Sequence, residues 1–280
     1  MRTAAMQAAA GAAAQAEPAH AEQPPTRARE TCHVGLVFAL GIEAGGLIDR
    51  LHGVIRIEGA GFTAREGGLE GRRLIVVETG VGQKAAAHAT RALIEGHRPQ
   101  WVISAGFAGG LHPDLAQGDI LLVDQIVDAT GRRLELDLKL DRAAIAAERH
   151  LHVGSLVTVE HIVREPNEKL ALGERHGALA VDMESLAVAD VCREEGTRFL
   201  AVRIISDAVG RALPKDIDNL VKRTSTAGRL GAAAGAILRR PSSIKDMWQL
   251  KEDALVASER LANFLVGMIS QLPKSPPPSA

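Results

Sequence analysis

The sequence predicts an α/β protein of three layers, α/β/α, with a largely parallel, twisted central sheet and helices on both faces. Two observations predict this class. Short apolar runs rich in Val, Ile and Leu recur along the chain, and segments with helical spacing of apolar residues separate them. Near-continuous apolar strands that alternate with helices are typical of a sheet buried on both faces. The 46% of hydrophobic residues is enough for a sizeable core.

Each element has its own signal in the sequence. The predicted strands are Val34–Ala39, Arg73–Thr79, Trp101–Ala105, Asp119–Val127, Val153–Val159, Ala178–Val181 and Phe199–Ile205. The predicted helices are Glu43–Leu51, Gln83–Glu95, Arg142–Glu148, Pro166–His176 and Met183–Glu195. The glycine-rich stretch Gly53–Gly71 predicts an antiparallel hairpin. Beyond Pro214 the pattern is helical to about Leu272, with a break at Pro241.

Composition also indicates the domain organisation. Residues 1–31 are Ala-, Gln- and Pro-rich and bury too little apolar surface to fold, so they predict a disordered tail. Residues 273–280 are Pro- and Ser-rich and predict a second tail. Between them, residues 32–272 predict a single domain with a C-terminal helical extension from about residue 241.

Charge and cysteine content exclude several classes of protein. The net charge of −1 and the pI near 6.8 argue against a nucleic-acid partner bound through a basic surface. The two cysteines, Cys32 and Cys192, cannot build a disulfide scaffold, so we expect a reducing, cytoplasmic location. Histidine spacing predicts no metal site.

A glycine-rich turn invites a dinucleotide reading. Gly80-Val-Gly82-Gln-Lys84-Ala follows a strand and precedes a helix, as in the dinucleotide fingerprint. About 20 residues further on, Ile103–Gly106 holds no carboxylate for the ribose, so we predict no cofactor. The turn is instead a candidate for holding an anion, with Gly80, Gly82, Lys84 and Arg203 as the candidate residues.

Three carboxylates follow three of the predicted strands. Glu43 comes after the first strand, Glu184 after the sixth and Asp207 after the seventh. Ligands of α/β sheets bind at the carboxyl ends of strands. Each acid alone also has a structural explanation, as a residue in the first turn of a helix or as a helix cap. The neighbouring Asp182 has the same explanation, as an N-cap. Together they predict an acid-lined site for a small molecule.

Several segments together resemble the nucleoside phosphorylase/nucleosidase superfamily. They are, in chain order, Gly80–Gly82, Ser104–Leu111, Gly118–Ile120, Ala180–Ala187 and Phe199–Asp207. The resemblance covers about residues 33–212, and within the superfamily the chain resembles the methylthioadenosine/S-adenosylhomocysteine nucleosidases. It implies a phosphorylase/hydrolase-like fold and an enzyme that cleaves the N-glycosidic bond of an adenine nucleoside and releases adenine.

The resemblance also implies roles for individual residues. Asp207 matches the aspartate that protonates the leaving purine, and Glu43 matches the glutamate that activates water. Glu184 matches the carboxylate that holds the ribose hydroxyls. The substrate-binding positions that the resemblance implies are Glu184, Met183, Phe107, Ala108, Gly109, Ile162 and Val163.

Two departures bear on the reaction and the substrate. Phe107 stands where many family members have a serine near the phosphate, which with Glu43 favours hydrolysis over phosphorolysis. The segment between Val127 and Val153 is shorter than in the methylthioadenosine enzymes, which suits a bulkier 5′ substituent.

A second resemblance leaves the substrate open. Arg211–Pro214, Leu238–Pro241 and Lys251–Leu255 are similar to segments of the hopanoid-associated phosphorylases, which implies adenosylhopane as an alternative substrate. A nucleoside-binding protein without catalysis is the rival of another class.

The sequence and the resemblance together predict the binding partners. We expect a small-molecule nucleoside, with phosphate left open, and the resemblance implies a homo-oligomer. The apolar stripe within residues 244–269 predicts docking on the core or on a partner subunit, with membrane-surface contact as an alternative. Its members are Ile244, Met247, Trp248, Leu255, Phe264, Leu265 and Met268.

Overall fold

The computed structural model describes residues 32–59, 61–138, 148–214, 217 and 241–273, with the backbone alone described over 241–250. Some predictions concern residues wholly or mostly outside these ranges: the tail 1–31, the helix Arg142–Glu148, the helical pattern over 218–240 and the tail 273–280.

Strands and helices alternate as expected along the described residues. The strands are β1 (Val34–Phe38), β2 (His52–Glu58), β3 (Thr63–Leu69), β4 (Arg72–Glu78), β5 (Trp101–Gly110), β6 (Ile120–Asp128), β7 (Arg133–Glu135), β8 (Leu151–Thr158), β9 (Ala180–Asp182) and β10 (Arg198–Asp207). The helices are α1 (Gly41–Ile48), α2 (Gln83–His97), α3 (Pro166–His176), α4 (Ser185–Glu194) and α5 (Pro241–Gln271). The predicted hairpin is the antiparallel pair β2–β3.

The strands form one sheet in the order β10-β6-β8-β9-β5-β1-β4-β3-β2. Its centre is parallel, because β1 pairs in that sense with β4 and β5, and β5 with β10. The sheet as a whole is mixed, since β2–β3, β3–β4, β5–β9, β6–β7 and β6–β10 are antiparallel. Because β10 pairs with both β5 and β6, the strands β5, β10, β6, β8 and β9 close into a ring.

Helices cover both faces of the sheet, which confirms the predicted class. Alternate residues of β1 point to opposite faces, with Leu36 packing on the side of α1 and α5 and Val37 on the side of α2 and α4. Both clusters are mainly aliphatic, and Leu36, Leu47 and Leu261 are fully buried in the first of them beside Phe38.

Strand β5 runs to Gly110, five residues beyond the predicted end at Ala105. Its glycine-rich second half pairs with β9 and β10, so tertiary pairing extends a strand that local propensity ends.

Helix α5 begins at Pro241, where the sequence predicts a break. Leu265 is fully buried and Phe264 and Met268 pack on the same cluster, which confirms docking of this part of the stripe on the core. Leu255 is 52% exposed and does not pack on the core, and the side chains of Ile244, Met247 and Trp248 lie outside the described residues. In the described part of the chain, no helix is long and apolar enough to cross a membrane.

Candidate active site

Glu43 lies in the first turn of α1, directly after β1, and is 5% exposed. Its Oε2 accepts the Leu40 N–H at 2.8 Å, the reach-back contact of a capping box. Its Oε1 accepts the Phe107 N–H of β5 at 2.9 Å. Gly106 permits this approach, because a Cβ there would stand 2.8 Å from Oε1. Burial raises the pKa of Glu43, although both amides favour the ionised form.

Helix α5 supports the turn that carries Glu43. The Ser258 Oγ donates a hydrogen bond to the Glu43 carbonyl at 3.3 Å and accepts the Gly46 N–H at 3.1 Å. A Cβ on Gly46 would stand 2.9 Å from the Ser258 carbonyl oxygen, so the two helices touch through a glycine. The C-terminal helix therefore fixes one end of the site.

Glu184 lies between β9 and α4, and its Oε1 accepts the Gly82 N–H at 2.7 Å. Gly80 and Gly82 have φ values of 80° and 104°, left-handed conformations that turn the loop after β4 toward Glu184. The amide predicted to hold an external anion thus binds the chain's own carboxylate. Burial, and then the negative charge of Asp182, raise the pKa of Glu184 to about 8.

Asp207 is the last residue of β10 and is 4% exposed. Its Oδ2 accepts a hydrogen bond from the Lys169 Nζ at 2.5 Å, and its Oδ1 accepts one from the Ser206 Oγ at 2.5 Å. In the parallel pairing of β10 with β5, Asp207 stands beside Gly109, where a Cβ would lie 3.3 Å from Oδ2. The strand end and its neighbours thus hold both carboxylate oxygens.

Strand β5 brings the three acids together. The Phe107 amide of β5 contacts Glu43, and Gly109, two residues on, pairs with Asp207 on one side and with Val181 of β9 on the other. Glu184 follows β9, and the charge of Glu43 contributes to raising its pKa. The prediction that these acids share one site agrees with this geometry.

A buried ion pair forms the floor of the site. The Arg203 Nη2 lies 2.8 Å from the Asp182 Oδ2, and it also donates to the Ser104 and Ser185 hydroxyls at 2.7 Å each. Asp182 also accepts the Ser185 N–H at 2.9 Å, although the N-cap of this helix is Glu184 and not Asp182. Arg203 is therefore engaged inside the protein, which does not favour its candidate role in binding an external anion.

The other candidate residues lie at different depths. Met183 and Ile162 are half-buried, whereas Val163 is buried in an apolar cluster with Val157 and Val181. Ala108 is also buried, and its carbonyl accepts a hydrogen bond from the Ser206 Oγ at 3.2 Å. Lys84 is exposed.

Lys169 is the functional candidate that the sequence interpretation missed. Lysine is rarely buried, and a lysine in a helix with polar neighbours is read as solvent-facing. Here it is fully buried and contacts Asp207. The signal available was its place in a short helix between two site strands, and that signal is weak.

The histidine reading needs a correction. His150 and His152 have the HxH spacing of metal ligands, and the prediction overlooked it. Both contact the buried Asp119, at 2.8 and 3.1 Å, yet within the described ranges no group of three or more His, Cys, Asp or Glu side chains could hold a metal ion. Asp119 with its two histidines reads as a hydrogen-bonded cluster.

The fold and site define an α/β/α protein with buried carboxylates at the carboxyl ends of its strands. The sequence profile described as "Phosphorylase superfamily" matches residues 33–239, and the chain belongs to that family. This confirms the resemblance found in the motifs.

Several known proteins are similar to this chain. The 5′-methylthioadenosine/S-adenosylhomocysteine nucleosidase of Bacillus thuringiensis (strain Al Hakam) is 28% identical over 214 residues, which cover 69% of this chain and 93% of that protein. A solved structure of a Helicobacter pylori nucleosidase mutant with 5′-methylthioadenosine in its active site has a TM-score of 0.65 at 21% identity, covering 86% of this chain and 99% of the other. The futalosine hydrolase of Helicobacter pylori has a TM-score of 0.65 at 20% identity, covering 86% and 98%. At these identities the two structures support the fold.

Proposed function

We propose that this protein hydrolyses the N-glycosidic bond of a 5′-substituted adenosine and releases adenine. One observation carries the proposal: carboxylates from three strand ends come together around β5, two of them held by backbone amides and the third by an ammonium and a hydroxyl. Relatives named as nucleosidases over 93% of their length support the same reaction.

The proposed chemistry divides between the two sides of the sugar. Glycoside cleavage passes through a transition state resembling an oxocarbenium ion, in which positive charge develops on the ribose. Glu43 orients a water molecule and takes its proton, and the raised pKa of Glu43 makes the ionised carboxylate a stronger base. Glu184 binds the ribose hydroxyls, and in its ionised form it stabilises the developing charge. Binding them requires Glu184 to share or release its contact with Gly82.

On the other side of the sugar, Asp207 delivers a proton to the leaving purine. The purine then departs as neutral adenine, which is a better leaving group than its anion. Ala108 and Gly109 lie beside Asp207 along β5, so we assign the purine to this end of the site. The backbone near Ile162 and Val163 is our candidate for the outer edge of the base.

The contacts of Arg203 favour hydrolysis over phosphorolysis. Phosphate needs donors with hydrogens to spare, whereas Arg203 donates to Asp182, Ser104 and Ser185.

A lipid-linked 5′ substituent, as in adenosylhopane, is the second candidate substrate. A groove of about 490 Å³ lies between α1 and α5, and Ile42, Leu255 and Val256 line part of it. Leu255 and Val256 are 52% and 57% exposed, next to the helix that carries Glu43. The same exposed apolar side chains are the reason for a secondary proposal, that α5 contacts a membrane surface. We also propose a homo-oligomer, from the family resemblance alone.

The test is adenine release by the purified full-length chain, followed by chromatography. The substrates are 5′-methylthioadenosine, S-adenosylhomocysteine and an adenosine with a long 5′-alkyl chain, each with and without phosphate. We expect phosphate-independent release and a free sugar as the second product. A sugar 1-phosphate would establish phosphorolysis, and release from the alkyl substrate alone would favour the second candidate. Binding without release from any substrate would leave a binding protein and overturn the proposal.

A further inference from the structure

Lys169 is the side chain near the site to which the proposed reaction gives no role. It lies in α3, is 0% exposed, and places its ammonium 2.5 Å from the Asp207 Oδ2. Burying an ammonium is costly unless charge and hydrogen bonds compensate it. Its remaining contacts are the Ala208 carbonyl at 3.2 Å and the Arg211 carbonyl at 2.7 Å. All three acceptors belong to the end of β10 and the loop that follows it.

These contacts explain how the strand end is built. Lys169 ties α3 to Asp207 and to the loop after it, and the same loop is anchored to α5 where Arg211 contacts Asp253 at 3.0 Å. With the Ser206 hydroxyl on Oδ1, the carboxylate of Asp207 is held at both oxygens. Such a carboxylate has little freedom to turn away from the base.

The pair of Lys169 and Asp207 also bears on the source of the proton that the purine receives. A carboxylate that is ionised beside an ammonium has no proton of its own to give to the purine. The Lys169 Nζ donates a hydrogen bond to Oδ2, so one of the ammonium protons already points at the Asp207 carboxylate.

We propose that Lys169 is a positioning residue that acts through Asp207, holding its carboxylate and supplying the proton that Asp207 passes to the leaving base. This inference rests on the proposed function. A proton moves from Nζ to the Asp207 carboxylate and from Asp207 to the purine as the N-glycosidic bond breaks. That transfer leaves a neutral lysine amine, an ionised Asp207 and neutral adenine. The attacking water keeps one proton in the new hydroxyl of the sugar and gives the other to Glu43. Exchange with solvent then returns a proton to Lys169 and removes one from Glu43.

The test compares two leaving groups in the Lys169→Met protein. On the best adenine nucleoside of the wild type, we expect kcat to fall about 100-fold, within the usual range for general acid catalysis. On a 4-nitrophenyl riboside with the same 5′ substituent, which leaves without a proton, kcat should stay within about threefold of the wild type. Equal losses on both substrates would overturn the proposal, because a merely structural defect does not distinguish leaving groups. An unchanged rate on the adenine nucleoside would overturn it too.

Arg72→Met is the matched control. Arg72 is likewise buried, at 4% exposure, and its guanidinium binds the Ser270 and Leu272 carbonyls at the end of α5, among residues outside the site. Any loss of activity in this variant should be the same for both leaving groups.

A second comparison covers the case in which Lys169→Met does not fold, since it leaves a buried carboxylate without its cation. The double variant Lys169→Met/Asp207→Asn carries neither charge. Its rate on the adenine nucleoside should equal that of Asp207→Asn alone, and a further drop of more than about tenfold would show that Lys169 acts independently of Asp207. If the wild type releases adenine from no substrate, the proposed function fails first, and that outcome is distinct from each of these.

Discussion

The two ends of the site hold their carboxylates in different ways. Glu43 and Glu184 accept hydrogen bonds from backbone amides, and burial raises the pKa of both. Asp207 is just as buried but accepts its hydrogen bonds from an ammonium and a hydroxyl. The first environment makes carboxylates basic, as activation of water requires, and the second keeps a proton within reach, as departure of a purine requires.

The largest expected effect is that of Asp207→Asn. The amide keeps the shape of the side chain but cannot relay a proton, so kcat on an adenine nucleoside should fall by about 10²–10⁴-fold. Asp190→Asn, at an exposed ion pair with Arg132, is the control and should retain wild-type activity. A loss of less than about tenfold for Asp207→Asn would remove the distinction between the two ends.

Glu43→Gln tests the other end. The amide can still accept one backbone N–H but cannot take a proton from water, so kcat should fall by about 100-fold. Glu194→Gln, on an exposed pair with Arg91, serves as the matched control. Steady-state rates measured with and without phosphate decide the outcome. A Glu43→Gln rate close to that of the wild type, and equal with and without phosphate, would mean that Glu43 is not the water-activating base.

A pH series sharpens the comparison further. The pKa of Glu184 rises from 4.5 to about 8 on folding, so between these values the unfolded chain releases a proton that the folded chain retains. The folded state therefore loses stability as the pH rises through this window. We expect Tm to fall from pH 5 to about pH 8 in the wild type, and to fall less in Glu184→Gln. Parallel Tm curves for the two proteins would contradict the raised pKa.

Removal of the support behind Glu43 should have the smallest effect. Ser258→Ala loses the hydrogen bonds to the Glu43 carbonyl and the Gly46 amide, which should cost about 0.5–1.5 kcal/mol in the free energy of unfolding. Urea denaturation measures that loss. Ser270→Ala is the control, since its exposed hydroxyl bonds within α5. If kcat of Ser258→Ala fell as far as that of Glu43→Gln, positioning by α5 would matter more than we infer.

The sequence predicts most of this architecture and part of the site. Apolar runs mark seven of the strands, because buried strands of an α/β sheet are apolar throughout. The acids at strand ends follow from the same pattern, since topology brings those ends together. The extension of β5 to Gly110 depends on pairing with β9 and β10, which local sequence does not encode.

The partners of the acids are harder to predict than the acids. Lys169 reaches Asp207 from a helix 38 residues earlier in the chain, and only the packing of α3 against β10 brings them together. In the same way, the contact of Glu184 with Gly82 joins residues 102 positions apart. Motifs identify which side chains carry the chemistry, whereas their charge environment is set by tertiary structure.

The most direct test of this division of labour compares Asp207→Asn and Glu43→Gln on two leaving groups under identical conditions. The substrates are a 5′-substituted adenosine and the 4-nitrophenyl riboside with the same 5′ group, and release of adenine or nitrophenol is measured. We predict that Asp207→Asn is impaired on the adenosine and nearly normal on the nitrophenyl substrate, whereas Glu43→Gln is impaired on both. Similar losses for Asp207→Asn on both substrates would contradict the assignment of the purine's proton to that end of the site.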